Sequence, residues 1–424
     1  MAELASPAVV ALAHDPGAGR VRDPRVVASV ALLLGVTVTV MLQGWWKSDS
    51  ALIGMFIPDA VGYLPVFEEM SLHEDVIASI PEALSGTVGT VLVYYPFWRW
   101  HPAAMVIPNV FMLLVAVWAA ERALRALGPI PVAYACWFVA LNPYFLVGIA
   151  GPNKEIILSS LTLLALAVQP SWRSAPLLLL IAVAMASVRI PYALAVLAWV
   201  GGQLIWHGRL NKWLLLAPVL VAAAFPLLAE EFQFIRANVV AATAVDTAVG
   251  GSQIVRMSLD AMEMPGLSIL AFLFRAVANA YAAAVRPAVF GPDGEVALLG
   301  TAYFVHGVLL QIGITGVLIV WSLGKSGGAQ EGRAASSARD LARYMVYLWL
   351  SVSAGLFVSG RYLMPIVPAS LAVFGTLRRR TQATALALLV LVDVTAFVLI
   401  GLMGVPSLNY EPSAFRPDFF LELR

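Results

Sequence analysis

Cysteine is almost absent from this chain, with one, Cys136, in 424 residues. A single thiol inside an apolar run excludes a disulfide framework and a Cys-based metal site, and it reads as a small core residue. Histidine is scarce as well, at five residues. No His, Cys or carboxylate spacing matches a metal motif, so no cofactor is expected, and a divalent ion on the outer acids is the one metal arrangement left open. Charge is in short supply too: Asp, Glu, Lys and Arg make up 12% of the chain, against roughly 25% in soluble domains. With a formal net charge of +1 and no Lys and Arg cluster interleaved with aromatics, nucleic acid is not a partner. No Ala-x-Ala cleavage pattern follows the first apolar run, so that run is expected to remain as an anchor.

What is there is apolar: 61% of the residues are hydrophobic, and they fall into long runs. The chain therefore reads as an all-α polytopic membrane protein. A helix needs about 20 apolar residues to cross a bilayer, with 17 to 25 the usual range. Crossings are expected over 26–44, 102–120, 130–147, 156–168, 175–187, 192–206, 213–228, 296–323, 344–359, 362–377 and 383–404, about 11 transmembrane helices. Residues 63–84 and 87–98 read as surface or interfacial helices, as does 267–285, which carries Arg275 and Asn279. Fusing 175–206 into one helix would bury Arg189 near mid-membrane at about 2.5 to 3.5 kcal/mol. Two helices with Arg189 at a surface or in a wet cavity are expected instead.

The division that follows is a cytoplasmic N-terminus at 1–25 and a transmembrane core at 26–229 with its first external loop at 45–101. A long external loop with a surface helix takes 230–295, C-terminal transmembrane helices take 296–404, and an external tail takes 405–424. The inner segments then hold Arg20, Arg22, Arg25, Arg122, Arg125, Arg173, Arg209, Lys212, Lys325, Arg333, Arg339, Arg343 and Arg378 to Arg380, and few acids. That is the asymmetry of the positive-inside rule. Making 267–285 a crossing would move Lys325 to Arg343 outside and spoil it.

This topology gathers polar residues from distant segments at one face: Asp59 with Glu68 and Glu69, Asn153-Lys154-Glu155, the 230–295 loop, and Ser359-Gly360-Arg361-Tyr362. Two carboxylates and at least two cations at a membrane surface suit transfer from a lipid phosphate. A base takes the acceptor proton, and fixed positive charge stabilises the leaving phosphate. Lys154 and Arg361 supply that charge, and Lys154 opens a helix, where free N–H groups favour an anion. Bland roles stand beside these: Asp59 as a helix cap, Glu68 and Glu69 on a solvated face, Lys154 and Arg361 reaching to headgroups. His306 reads as a hydrogen-bonded core residue and Asp393 as a helix-packing one.

A first-loop acid with a Tyr four residues on (Asp59, Tyr63), Asn142-Pro143 followed by a loop whose acid opens the next helix (Glu155), and Arg361-Tyr362-Leu363-Met364-Pro365-Ile366-Val367-Pro368 together resemble the GT-C superfamily of membrane glycosyltransferases. The nearest likeness is to the protein mannosyltransferase and aminoarabinose transferase branch. The resemblance implies a sugar moved from a polyprenyl-phosphate-linked donor to a glycan, lipid or protein acceptor, at the periplasmic or extracellular face of a bacterial inner membrane. It makes Asp59 and Glu155 the catalytic acids and places Arg361 and Tyr362 by the donor phosphate; apart from the resemblance, their place at the same face makes Lys154, Tyr63, Asn153 and Glu69 further substrate-binding candidates. Many members place a second acid directly after the first, whereas here Ala60 follows Asp59. A polysaccharide polymerase or O-antigen ligase-like enzyme working through external Arg residues, and a lipid-linked glycan transporter, are the alternatives.

Overall fold

The computed structural model describes residues 23–43, 63, 66–68, 70–71, 88–168, 170–206, 215–231, 253–285, 298–323, 333–353 and 360–402. These residues are helical, with no strand among them. Four helical stretches, Pro24–Met41, Pro102–Leu127, Pro129–Ala150 and Phe304–Ser322, are long and apolar enough to cross a membrane. The chain is an all-helical membrane protein.

Helix α1 (Pro24–Gln43) packs against α3 (Val106–Leu124) and α4 (Pro129–Leu141), and their relative direction is fixed by charge. The Arg25 guanidinium lies 3.5 Å from Glu121 and 4.4 Å from the centroid of Trp118. Arg125 reaches the same Glu121 carboxylate at 2.9 Å. The start of α1 and the end of α3 therefore share one end of the bundle, and α2 (Val88–Trp100) lies at the other. Proline sets the next break. Asn142 is extended (φ −63°, ψ 116°) because Pro143 disfavours the helical state in the residue before it. The Asn142 side chain then caps the short α5 (Pro143–Val147) by accepting from the Tyr144 N–H at 3.0 Å. The expected crossing at 130–147 is thus two pieces rather than one.

Another break separates α7 (Ala175–Val188) from α8 (Ile190–Trp206), with Arg189 extended between them (φ −162°, ψ 109°) and half-buried. This is the two-helix arrangement expected from the cost of burying Arg189.

One expectation is corrected. The chain reads as a polar linker over 325–340, yet α13 runs Arg333–Ser353. Ala334, Ala335, Ala338 and Ala342 favour helix, and an Arg343–Asp340 pair at 3.5 Å supports it. The stretch 267–285, read as a surface helix, is α11 (Ser268–Val285): Arg275 and Asn279 are fully buried, and Leu270, Leu273, Phe274 and Val277 face outwards. Arg275 donates to the Ser258 hydroxyl of α10 (Gln253–Glu263) at 3.2 Å, and the Trp349 indole N–H of α13 donates to the Ala276 carbonyl at 2.9 Å. Buried polar partners hold the inner face of α11, and its outer face is apolar.

Helix α12 (Leu298–Leu323) packs tightly on α14 (Val367–Gly375). A Cβ at Gly316 would stand 2.5 Å from the Phe374 Cβ and 2.7 Å from its Cα, and one at Gly313 would stand 2.9 Å from the Ser370 Cβ. Small residues let membrane helices approach this closely. Gly316→Ala is expected to lower stability by about 1 to 3 kcal/mol, the usual cost of overpacking. Gly201→Ala, where nothing lies within 4 Å, is expected to leave stability unchanged or raise it slightly. Unfolding midpoints in detergent compare the two.

Cys136, His306 and Asp393 lie within packed helices. Cys136 is buried, its thiol 3.6 Å from the Val117 carbonyl. His306 is buried among Phe138 and Tyr144. Asp393 of α15 (Arg379–Leu402) accepts from the Gln311 amide at 3.1 Å across a helix contact.

Candidate functional site

The site is built on one amide. Asn109, wholly buried near the start of α3, donates from Nδ2 to the Ile149 carbonyl at 2.7 Å and to the Gly151 carbonyl at 2.9 Å. Its Oδ1 accepts from the Tyr94 hydroxyl of α2, which also reaches the Asn153 carbonyl at 3.2 Å. These bonds pin the loop 148–153 to α2 and α3 and fix where α6 (Lys154–Val168) begins. Asn153 caps α6, its Oδ1 accepting from the Glu155 and Ile156 N–H groups at 3.1 and 3.2 Å.

Two charged residues follow the cap, and they go opposite ways. Lys154 is half-buried, its ammonium 5.2 Å from the centroid of the Tyr63 ring, which is itself 5% exposed. Glu155 turns inward and is 2% exposed, and its Oε1 has no hydrogen-bond partner among the described residues. A carboxylate oxygen left without a donor in a buried setting is costly, and such atoms mark places where a ligand, a proton or water completes the bonding. Burial, with the Glu155 charge nearby, pushes the Tyr94 phenol above its ordinary pKa, so Tyr94 stays a proton donor to Asn109 and Asn153.

The second half of the site packs on α6 from the C-terminal part of the chain. Gly360–Ile366 forms a 3-10 turn against α6, with Pro365 inside it. Arg361 donates from Nη2 to the Tyr362 hydroxyl at 3.4 Å, and its guanidinium lies 5.2 Å from the Tyr362 centroid. Arg189, from the break between α7 and α8, lies 3.9 Å from the same centroid. The Tyr192 hydroxyl donates to the Tyr362 carbonyl and ties α8 to this turn.

Of the residues singled out by sequence, Tyr63, Asn153, Lys154, Glu155, Arg361 and Tyr362 belong to elements packed at this end of the bundle. Glu68 is exposed, as on a solvated face. Asp59 and Glu69 lie outside the described residues. Sequence reasoning gave no role to Tyr94, Asn109, Arg189 or Tyr192. The available signals were Arg189, the charge interrupting a long apolar run, and Asn109, an amide within another. Comparison with protein-family models, with curated proteins and with solved structures found no match.

Proposed function

We propose that this chain is a membrane glycosyltransferase that takes a sugar from a polyprenyl-phosphate-linked donor and passes it to a glycan, lipid or protein acceptor at the outer face of the membrane. The observation that carries the reading is the buried Glu155 Oε1, without a hydrogen-bond partner among the described residues, on a helix start that also bears Lys154 and against which the Arg361 turn packs. A carboxylate shielded from bulk water and open to one more hydrogen bond is suited to hold or take a proton, and neighbouring cations suit a leaving phosphate. Asp59 is assigned the second acid. Tyr63, Asn153, Tyr362 and Glu69 are assigned to substrate binding, and the acceptor and lipid carrier are the partners.

The topology proposed with this function has eleven crossings and an internal N-terminus. The shared end of Arg25, Glu121 and Arg125 supports it, since all three belong to segments assigned inside. Helix α11, apolar outward, dips into the outer leaflet without crossing, which keeps Arg333, Arg339 and Arg343 on the inner side. Two guanidiniums on Tyr362 also favour a second reading, a polysaccharide polymerase or ligase that works through external Arg residues.

Asp59→Asn separates the two. In proteoliposomes supplied with a labelled polyprenyl-phosphate sugar, the variant is expected to lose transfer by about 100-fold or more, in keeping with loss of acid–base catalysis. Transfer kept by Asp59→Asn and lost in Arg361→Ala would favour the second reading instead.

A further inference from the structure

We infer that Arg189 and Arg361 are two arms of one anion site, and that its ligand is a lipid with a phosphate head whose chain lies along the outward face of α8. The inference rests on the reading above and adds to it a second phosphate arm and a path for the lipid chain.

The two guanidiniums come from segments more than 170 positions apart and meet on a single ring, at 3.9 and 5.2 Å from the Tyr362 centroid. Both side chains are half-buried, and the flat fork of Arg matches the oxygens of a phosphate. Arg189 takes part in none of the ion pairs between described residues. Its backbone is held by donation to the Met185 carbonyl at 2.6 Å, and the ring it lies on is held by Tyr192 through the Tyr362 carbonyl. The arrangement is built in before any ligand arrives.

The apolar part of the ligand follows from what comes next in the chain. Ile190, Leu194 and Leu197 recur at helical spacing on α8 and are 49%, 59% and 40% exposed. A cation pair followed directly by an outward apolar stripe complements an amphiphile. Free phosphate would gain nothing from the stripe.

The test uses the full-length protein in detergent and follows binding of farnesyl phosphate, geranyl phosphate, farnesol and inorganic phosphate by tryptophan fluorescence. Arg189→Ala and Arg361→Ala are each expected to weaken farnesyl phosphate about tenfold or more while leaving weak farnesol binding unchanged. Arg189→Lys is expected to recover part of the loss. Leu194→Asn is expected to shrink the advantage of farnesyl over geranyl phosphate. Unchanged farnesyl phosphate binding in Arg189→Ala, an equal loss for farnesol, or inorganic phosphate bound as tightly as farnesyl phosphate would each overturn the inference. So would displacement of farnesyl phosphate by equimolar phosphatidylglycerol, which would make this a general headgroup site. Unaltered binding in Arg189→Ala together with transfer that still needs Glu155 removes this inference alone. Transfer that survives Glu155→Gln removes the reading beneath it.

Discussion

Glu155→Gln is expected to cut sugar transfer by at least about 100-fold, the lower end of what a positioned acid or base contributes, and to leave the unfolding midpoint almost unchanged. The substitution keeps the side chain's size. It also keeps the backbone N–H that Asn153 receives at the start of α6. The Oε1 it replaces has no hydrogen-bond partner among the described residues, so no protein bond to that atom is lost. What disappears is the capacity to carry a proton. Labelled-sugar transfer in proteoliposomes, set beside thermal unfolding of the same preparation, measures both quantities. Activity above half that of the native chain would leave Glu155 as a charge that merely favours a helix start, an effect of about 0.3 to 1 kcal/mol at an exposed end.

Asn109→Leu is expected to fail in a different way, with stability and transfer falling together. The amide satisfies the Ile149 and Gly151 carbonyls and the Tyr94 hydroxyl, all at a fully buried position. A leucine of similar volume leaves them in place without it, and each buried group left unmet costs about 1 to 3 kcal/mol. The loop 148–153 then loses its hold, and with it the cap that orients Glu155. Thermal unfolding and transfer assays on this variant are expected to drop in step, whereas Glu155→Gln lowers transfer alone. Normal stability in Asn109→Leu would mean that the loop is held from elsewhere.

Much of the site was legible in the residues because burying a charge in a membrane is expensive. Arg189 could not sit in mid-span, so a break was expected between 187 and 192, and the chain breaks at Arg189. Asn153-Lys154-Glu155 read as a polar stretch opening directly into the apolar helix 156–168, and α6 starts at Lys154. The parts that were not legible depend on partners remote in sequence. Nothing near Asn109 indicates that it binds a loop 40 positions on, and nothing near Tyr192 indicates the carbonyl of Tyr362. Hydropathy misled where composition and packing disagree. Residues 333–340 are polar yet alanine-rich enough to open α13, and Arg275 is polar yet buried with the Ser258 hydroxyl of α10 as a partner.

Cys136 lies at 0% exposure within α4, so the natural chain is silent to reagents that modify thiols from water. A cysteine introduced beside Arg125, and another introduced in place of the exposed His101, would each be the sole reactive sulfur in its variant. These positions mark the two opposite ends of α3, one beside the Glu121 pair and the other just ahead of the helix start. Labelling of intact cells with a membrane-impermeant maleimide therefore reads which end meets the outside, with no background to subtract and no need to remove a native residue first.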